Sequence, residues 1–336
     1  MYSQTELSAI VNRQLEKLQT NNNVENLYAP IHYVIANGGK RIRPVLILMA
    51  YNLYREDIER IMDNAIAMEV FHNFTLLHDD VMDKASVRRG KPCVHVKWNE
   101  NTAILSGDAM FALAYKLMTE NKYLCGEASY VIDEYRSLHK AILTFNEATV
   151  GVCEGQQFDM DFENEDNVNE SQYMDMIRLK TSLLLSCSLK IGAQLAGTGD
   201  TDAQMLYDFG EKVGLAFQLQ DDLLDVYGDP KVFGKNIGGD IVSNKKTFML
   251  IQALELADEK NKTALRNWIS KTDFKPEEKI KEVIRIYNMC GIKELCEKKI
   301  EELFCQGMDS LEQLNVEEDK KIPLRELALQ LMNRKY

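Results

Sequence analysis

Apolar residues recur at three- and four-residue spacing along almost the whole of this 336-residue chain, which is the period of an amphipathic helix. The pattern predicts helices over the ranges 4–20, 43–54, 57–83, 101–119, 128–156, 170–196, 203–227, 245–257, 260–270, 277–289, 293–313 and 322–334. Only Val94-His95-Val96 resembles a strand, and it is too short to seed a sheet. The sequence therefore predicts an all-α protein, built as a helix bundle or as an extended helical array.

Three glycine-containing segments mark expected helix ends: Asn37-Gly38-Gly39, Gly90-Lys91-Pro92 and Gly228-Asp229-Pro230. The chain is long for one domain, but no segment has the composition of a linker. We therefore expect residues 1–336 to form a single all-helical domain. The acidic run 159–170 is expected to be a solvated surface loop.

The net charge of −12 disfavours nucleic acids and anionic membranes as bulk partners. No apolar run reaches the roughly 18 residues of a membrane span, and residues 1–19 have the pattern of an amphipathic helix rather than of a signal peptide. The seven cysteines are scattered and form no CxxC pair. This usage favours reduced thiols in a cytoplasmic protein over a disulfide framework or a zinc site.

One acidic pattern occurs twice, as Asp79-Asp80-Val81-Met82-Asp83 and as Asp221-Asp222-Leu223-Leu224-Asp225. Residues four apart share a helix face, and like charges so placed repel by roughly 0.2–0.5 kcal/mol per exposed pair. A single copy is equally compatible with a solvated acidic helix end. Two matched copies favour a cation between the carboxylates, and hard oxygen ligands without cysteine favour Mg²⁺.

Basic residues accompany both acidic motifs. The segment 38–43 places Lys40, Arg41 and Arg43 behind two glycines at a predicted helix start, which is a suitable anion site. Arg88-Arg89-Gly90-Lys91 follows the first motif, and Lys235 and Lys245-Lys246 follow the second. Such cations could be solvated or form structural ion pairs, but their recurrence in both halves favours a phosphate-bearing substrate.

Three other patterns are weaker. Glu69 and His72 have the ExxH spacing of di-iron bundles, but that chemistry needs a second copy, which is missing from the sequence. Residues 228–235 lack the glycine spacing of a P-loop. His78, beside Asp79, is interpreted as a packing histidine rather than as a metal ligand.

Six segments together resemble the trans-isoprenyl diphosphate synthases, the family that includes the farnesyl and geranylgeranyl diphosphate synthases. They are GGKRIRP at 38–44, FHNFTLLHDDVMD at 71–83, RRGKP at 88–92, KTS at 180–182, FQLQDDLLD at 217–225 and GKNIGGDIVSNKKT at 234–247. The resemblance implies the all-α isoprenoid (terpene) synthase fold, a large helical bundle around a deep central cavity. It also implies a homodimer.

The resemblance further implies a role for each matching residue. The metal ligands would hold three Mg²⁺ ions that bridge to the allylic diphosphate, and they would be Asp79, Asp80, Asp83, Asp221, Asp222 and Asp225. Isopentenyl diphosphate would be held by Lys40, Arg43, His72 and Arg89. The allylic diphosphate would be held by Arg88, Lys180, Lys235 and Lys245, with Thr181 and Gln218 facing the reacting carbons. The catalytic set would comprise the six aspartates with Lys180, Thr181 and Gln218.

The implied activity is head-to-tail condensation of dimethylallyl, geranyl or farnesyl diphosphate with isopentenyl diphosphate. Phe71, Phe74 and Thr75 lie eight, five and four residues before Asp79, on neighbouring faces of the predicted helix. They are the candidate chain-length residues, because the growing prenyl tail would run down an apolar tunnel below the first motif and a bulky ring there would stop elongation. In the family, an aromatic residue five positions before the first motif marks short-chain enzymes. We expect a product of twenty carbons in preference to one of fifteen. The alternative is that Phe74 is only a core residue and does not limit the chain length.

Several alternatives stay open at this point. A class I terpene cyclase shares the fold and one acidic motif but does not need a second diphosphate site. A medium- or long-chain polyprenyl diphosphate synthase would have the same motifs. A noncatalytic subunit of such an enzyme, or a helical scaffold with acidic patches, would not need both complete motifs.

Overall fold

The computed structural model describes residues 2–18, 22–120, 131–228 and 237–332, and most of these residues are helical. The helices are α1 (Gln4–Glu16), α2 (Glu25–Ala36), α3 (Ile42–Asn52), α4 (Met62–Met82), α5 (Val94–Lys97), α6 (Glu100–Thr119), α7 (Val131–Asn164), α8 (Glu170–Ile177), α9 (Leu183–Leu195), α10 (Asp200–Tyr227), α11 (Gly239–Val242), α12 (Phe248–Leu256), α13 (Glu259–Ser270), α14 (Pro276–Met289), α15 (Ile292–Glu312) and α16 (Glu318–Met332). Short 3₁₀ turns occupy Asn22–Val24 and Ile58–Ile61, and a π-helical turn at Arg178–Ser182 joins α8 to α9. The all-α prediction is confirmed.

The strands in this described part form one antiparallel hairpin, β1 (Val87–Arg88) with β2 (Lys91–Pro92). Its two central residues, Arg89 and Gly90, both have positive φ, at 53° and 74°. This is the backbone of the tight turns that connect twisted antiparallel strands.

Several sequence-based predictions were wrong, and one helix was missed. Gly90-Lys91-Pro92, expected at a helix end, lies in the hairpin instead. Val94-His95-Val96 begins the short helix α5 instead of a strand. Helix α7 continues to Asn164, so the first half of the acidic run 159–170 is helical. Helix α2 was not predicted, because Pro30 lies inside it and an asparagine-rich segment precedes it.

The chain divides into two compact units, each built from separate stretches of sequence. The first unit contains Met1–Asn146, Cys187–Tyr207 and Asn315–Leu324. The second unit contains Glu147–Ser186, Asp208–Leu314 and Arg325–Tyr336. Helices α7, α9, α10 and α16 each contribute residues to both units. The single-domain expectation stays a prediction.

In the first unit the core is formed mainly by α3 and α4. Every residue of α3 from Pro44 to Asn52 is buried, and so is the middle of α4 from Asn64 to Phe71. Helix α4 packs along α6, where Gly107 lies against the imidazole of His78 so closely that a Cβ atom there would overlap the ring. This packing holds in place the last turns of α4, which carry the first acidic motif.

The second unit has its own continuous apolar core. It is formed by side chains of α8, α10 and α12 to α15, including Tyr173, Leu219, Met249, Ile286 and Cys296. The core therefore supports both α8 and the part of α10 that carries the second acidic motif.

None of the described helices is both long and apolar enough to cross a membrane. The six described cysteines, Cys93, Cys153, Cys187, Cys290, Cys296 and Cys305, are free thiols.

Candidate active site

The basic segment 38–43 forms the entry to α3. Gly38 and Gly39 have φ of 75° and 141°, and Arg41 has the left-handed φ of 50°. This path turns the Arg41 side chain inwards, where it is buried, and leaves Lys40 exposed at the surface. Of the three cations in the segment, Arg41 is therefore unavailable to a diphosphate.

Arg43 and His72 form a pair at the start of α3 and on α4. Nη1 of Arg43 donates to Nε2 of His72 at 3.0 Å, so the neutral ring carries its proton on Nδ1. Burial, followed by the charges of Arg43 and Arg89, lowers the pKa of His72 well below its ordinary value. Burial also lowers the pKa of Arg43 to about 10, although Glu69 opposes this effect, so Arg43 stays cationic at neutral pH.

The hairpin turn brings two further arginines to the same place. Arg88 donates from Nε to Oδ1 of Asp80 at 2.6 Å and contacts Oδ2 of Asp79 at 3.4 Å. Arg89 donates to the carbonyl oxygen of Gly38. The side chain of Arg89 lies so close to Gly39 that a Cβ there would be 2.9 Å from the guanidinium nitrogens. The hairpin, the basic segment and the end of α4 therefore form one site.

This site has an excess of positive charge and an unmet hydrogen-bond donor. The buried Nε of Arg43 has no hydrogen-bond partner among the described residues. Burial lowers the pKa of Arg89, and the charges of Arg41 and Arg88 lower it further, although Glu69 and Asp80 oppose this effect. Clustered guanidinium groups with unused donors are suited to a diphosphate, because its oxygens accept several charge-assisted hydrogen bonds.

The first acidic motif lies at the C-terminal end of α4, where Asp83 is the C-cap residue. Carboxylates there face the negative end of the helix macrodipole, so they need a compensating cation. Asp80 is buried beneath Arg88, Asp79 is half-buried and Asp83 is exposed. Burial and a hydrogen bond with Asp80 raise the pKa of the Cys93 thiol to about 11, so this neighbour stays neutral.

The second acidic motif lies in the last turns of α10, also near the negative end of its helix. Asp222 is buried and accepts hydrogen bonds from the Tyr173 hydroxyl at 2.5 Å and from Nε2 of Gln218 at 2.9 Å. Burial raises the pKa of Asp222 in spite of these bonds. Asp225 accepts from the backbone N–H of Asp240 at 2.9 Å, which ties the segment after Gly238 to the motif.

Lys245 lies among four carboxylates of the second unit. Desolvation alone would lower the pKa of Lys245, but Asp222, Asp240, Asp159 and Asp225 outweigh it and raise the pKa. The ammonium group is therefore permanently cationic next to the second motif. This is the position expected of a group that binds an anion held by the motif.

Lys180 and Thr181 lie in the π-helical turn between α8 and α9. Lys180 pairs with Asp159 at 2.5 Å, and the Thr181 hydroxyl donates to Oε1 of Gln218 at 3.1 Å. The backbone of this turn passes so close to Gly155 of α7 that no larger residue would fit there. π-helical turns occur frequently at functional sites, because the extra residue redirects the side chains.

The donor chemistry of both motifs fits Mg²⁺. Each motif offers hard carboxylate oxygens at the negative end of a helix, and Mg²⁺ binds one or two carboxylates with water and phosphate as its other ligands. Within the described ranges, no three His, Cys, Asp or Glu side chains converge so as to hold a metal ion by themselves. If Mg²⁺ binds at these motifs, oxygen atoms of the substrate phosphate would complete its coordination.

An aromatic cluster lies one to two turns before the first motif. The Phe74 ring centroid is 5.5 Å from that of Phe71, 5.4 Å from that of Phe111 in α6, and 4.7 Å from that of His78. Phe71 is fully buried, whereas Phe74 and Phe111 are only half-buried. Thr75 donates from its hydroxyl to the carbonyl oxygen of His72. Because its ring is only half-buried, Phe74 is not simply a core residue. His78 packs against it.

The predicted residues fall into two groups. The first unit brings together Arg43, His72, Asp79, Asp80, Arg88 and Arg89, with Lys40 and Asp83 at the surface nearby in sequence. The second unit brings together Lys180, Thr181, Gln218, Asp222, Asp225 and Lys245, with Asp221 half-buried beside Asp222 in α10. Lys235 lies outside the described residues.

Sequence reasoning missed four residues that contact these groups: Tyr173, Asp159, Asp240 and Phe111. Tyr173 is 49 positions from Asp222 in the sequence, so no local pattern links them. Asp159 belonged to a run expected to be solvated, but it pairs with Lys180. The extension of the α7 periodicity past residue 156 was the signal that could have placed it on a helix.

The depressed pKa of His72 leads to a test of stability against pH. Below about pH 6.5 the unfolded chain protonates His72 and the folded chain does not, so the free energy of unfolding should fall as the pH drops. We expect this fall to be smaller in His72→Gln, whose side chain stays neutral. Urea unfolding at about pH 7.5 and about pH 5.5 measures it.

The exposed His139 provides the control. In His139→Gln the free energy of unfolding should fall between the two pH values by as much as in the wild type. An equal fall in the wild type and in His72→Gln would contradict the neutral, buried state of His72.

Comparison with known proteins identifies the family of this chain. A family model described as polyprenyl synthetase matches residues 24–287. The chain is 41% identical over 262 residues to the short chain isoprenyl diphosphate synthase of Methanocaldococcus jannaschii, covering 78% of this chain and 76% of the relative. It is 36% identical over 298 residues to the geranylgeranyl diphosphate synthase of Sulfolobus acidocaldarius, covering 88% and 87%.

Among solved structures, a crystal structure of geranylgeranyl pyrophosphate synthase superposes with a TM-score of 0.90 at 39% identity and covers 100% of both chains. The family match, the two relatives and this superposition agree with the motifs and with the helical architecture. The chain therefore belongs to the polyprenyl synthetase family of prenyltransferases and has the all-α isoprenoid synthase fold.

Proposed function

We propose that this protein condenses an allylic diphosphate with isopentenyl diphosphate to give a short-chain all-trans prenyl diphosphate. The observation that carries the proposal is that cations lie beside both complete acidic motifs and that a further basic group, Arg43 with His72 and Arg89, lies next to the first of them. Arg43, Arg88 and Arg89 accompany the first motif, and Lys245 accompanies the second. Condensation uses two diphosphates, whereas a terpene cyclase uses one.

We assign isopentenyl diphosphate to Lys40, Arg43, His72 and Arg89. The neutral His72 and the unused donor of Arg43 support this assignment, because a diphosphate needs hydrogen-bond donors in fixed positions. The Nδ1 proton of His72 would then be available to a phosphate oxygen, since Nε2 is already an acceptor for Arg43.

We assign the allylic diphosphate to Arg88, Lys180, Lys235 and Lys245. Arg88 already contacts Asp79 and Asp80, which supports a role beside the first motif. Lys180 and Lys245 each lie beside carboxylates of the second unit, and these contacts keep both side chains in place. The pair Thr181–Gln218 would lie next to the reacting carbons.

The reaction breaks the allylic C–O bond, and its electron pair leaves with the diphosphate. Bound Mg²⁺, in the proposed number of three ions, would supply neutralisation of the charge on that leaving group. The π electrons of isopentenyl diphosphate then form the new C–C bond, and loss of a proton to the released diphosphate restores a double bond. Arg88, Lys180 and Lys245 would hold the leaving group, and apolar walls would exclude water from the allylic cation.

We propose a product of twenty carbons ahead of fifteen. Phe74 is half-buried and packs on Phe71, Phe111 and His78, so its ring is braced against displacement. The position next to it, Thr75, carries a small side chain. A ring held in place beside a small residue supports a tunnel that stops elongation at a short chain, yet leaves room for twenty carbons rather than fifteen.

The remaining expectations are also proposals. They are the homodimer, the cytoplasmic location and the single domain over residues 1–336.

The test is incubation with radiolabelled isopentenyl diphosphate, Mg²⁺ and dimethylallyl, geranyl or farnesyl diphosphate in turn, followed by sizing of the dephosphorylated products. We expect linear alcohols of twenty or fifteen carbons and no incorporation with a chelator present. Cyclic hydrocarbons without incorporation would indicate a cyclase. Products far longer than twenty carbons would indicate a medium- or long-chain synthase, and no reaction with any primer would reject the proposed function.

A further inference from the structure

Arg41 and Glu69 form a buried ion pair that the proposed chemistry does not use. Nη1 of Arg41 lies 2.7 Å from Oε1 of Glu69, with side-chain exposures of 4% and 2%. Burying an ion pair is unfavourable unless its hydrogen bonds are well satisfied, so such a pair requires a reason. Arg41 also belongs to the basic segment 38–43, which is part of the site.

The hydrogen bonds of Arg41 hold this segment from three directions. Nε donates to Oδ1 of Asn12 in α1 at 3.1 Å, and Nη2 donates to the carbonyl oxygen of Ile35 in α2 at 2.6 Å. Together with the Glu69 bond from α4, they maintain the left-handed backbone of Arg41, which a non-glycine residue adopts at a cost of about 1 kcal/mol or more. The conformation of the segment therefore depends on this one side chain.

Glu69 is in turn held by its own helix. Nδ2 of Asn73 donates to Oε1 of Glu69 at 3.0 Å and to its carbonyl oxygen at 2.8 Å. Three residues further along α4, His72 accepts from Arg43 at 3.0 Å. Residues three apart in a helix lie on one face. One face of α4 therefore holds the basic segment at two points, Arg41 through Glu69 and Arg43 through His72.

We propose that Glu69 is a positioning residue for isopentenyl diphosphate, acting through Arg41 to set where Lys40 and Arg43 meet the diphosphate. The inference rests on the proposed function and deepens it, because it explains why Arg41 is buried while Lys40 and Arg43 are left for the proposed diphosphate site. It also gives the ExxH spacing of Glu69 and His72 a role unrelated to iron. The hydrogen bond from Arg41 to Asn12 also attaches the segment to α1.

The structure predicts a specific consequence of breaking the pair. Glu69→Gln keeps the shape of the side chain but leaves the Arg41 charge without its carboxylate, so the segment 38–43 should shift. Lys40 and Arg43 would then lose their positions. Of the residues assigned to the allylic diphosphate, Lys180 and Lys245 belong to the other unit, and Arg88 is held by Asp80 rather than by the segment.

The experiment compares steady-state kinetics and calorimetric binding of isopentenyl diphosphate without primer. For Glu69→Gln we expect the KM and the Kd for isopentenyl diphosphate to rise about tenfold, as for loss of one hydrogen bond between charged groups. The KM for the allylic diphosphate should change less than about twofold. A smaller rise, in the same direction, is expected for Asn12→Ala.

Two controls separate positioning from stability. Glu134→Gln weakens a more exposed ion pair of the same unit, the one with Arg60 at 2.5 Å, and should leave both KM values unchanged. The double variant Arg41→Gln, Glu69→Gln removes both charges, so urea unfolding should show recovered stability relative to Glu69→Gln while the KM for isopentenyl diphosphate stays high.

Each result has one meaning. Unchanged binding of isopentenyl diphosphate by a folded Glu69→Gln would reject the inference while leaving the function in place. Equal rises in both KM values, or recovery of the KM together with stability in the double variant, would show that the pair only stabilises the fold. A wild-type protein that neither binds nor incorporates isopentenyl diphosphate would instead reject the proposed function.

Discussion

Asp79→Ala is expected to lower the rate of isopentenyl diphosphate incorporation by about a hundredfold to a thousandfold. This is the range seen when one preorganised electrostatic contact to a developing charge is removed. Asp79 lies in the last turn of α4 and is half-buried. Its removal should weaken Mg²⁺ binding without opening a cavity in the core. The folded state should survive, because a carboxylate at the negative end of a helix is not stabilising.

The same loss is expected for Asp221→Ala in the second motif. Asp80 and Asp222 are less suitable targets, because both are buried and each satisfies other side chains, Arg88 in one case and Tyr173 with Gln218 in the other. Removing either would leave buried polar groups without partners and would confuse stability with catalysis.

Product assays and thermal unfolding with Mg²⁺ and inorganic pyrophosphate measure this prediction. The wild type should gain thermal stability when both are added, and Asp79→Ala and Asp221→Ala should gain much less. Exposed carboxylates provide matched controls, Asp133→Ala for the first unit and Asp175→Ala for the second. Near-wild-type turnover by Asp79→Ala would refute its role as a metal ligand.

Phe74→Ala should lengthen the major product by one or more isoprene units. The ring packs on Phe71, Phe111 and His78 but is itself only half-buried, so its removal should extend the space available to the prenyl tail. The double variant Phe74→Ala, Phe111→Ala should lengthen the product further, because the second ring comes from α6 at the same level. Chromatographic sizing of the dephosphorylated products measures the shift.

Phe71 is the matched control, since it is fully buried and contacts both Phe74 and Phe111. Phe71→Ala should lower the free energy of unfolding by about 3–5 kcal/mol, the usual range for a buried phenylalanine. Phe74→Ala should lower it less. If Phe74→Ala left the product distribution unchanged, the floor of the tunnel would have to be formed by other residues.

Local patterns were sufficient wherever a helix is amphipathic or ends at a glycine. The periodicity placed α3, α4, α10 and α15 to within a few residues, because one face of each helix has to be apolar in order to be buried. The pattern failed for α2, which contains a proline, and for α5, whose single turn is too short to show a helical period. Long helices repeat their signal, whereas short ones do not.

The sequence by itself determined the all-helical class and the family, because both depend on spacings within single helices and on six short motifs in order. Only the tertiary structure decided how the cations are used: Arg41 is buried against Glu69, Arg43 is paired with His72, and Arg88 is bonded to Asp80. The physical reason is that neighbouring arginines in one segment are chemically alike. Their roles are set by the partners that the fold brings to them from distant positions, and no local spacing encodes those partners.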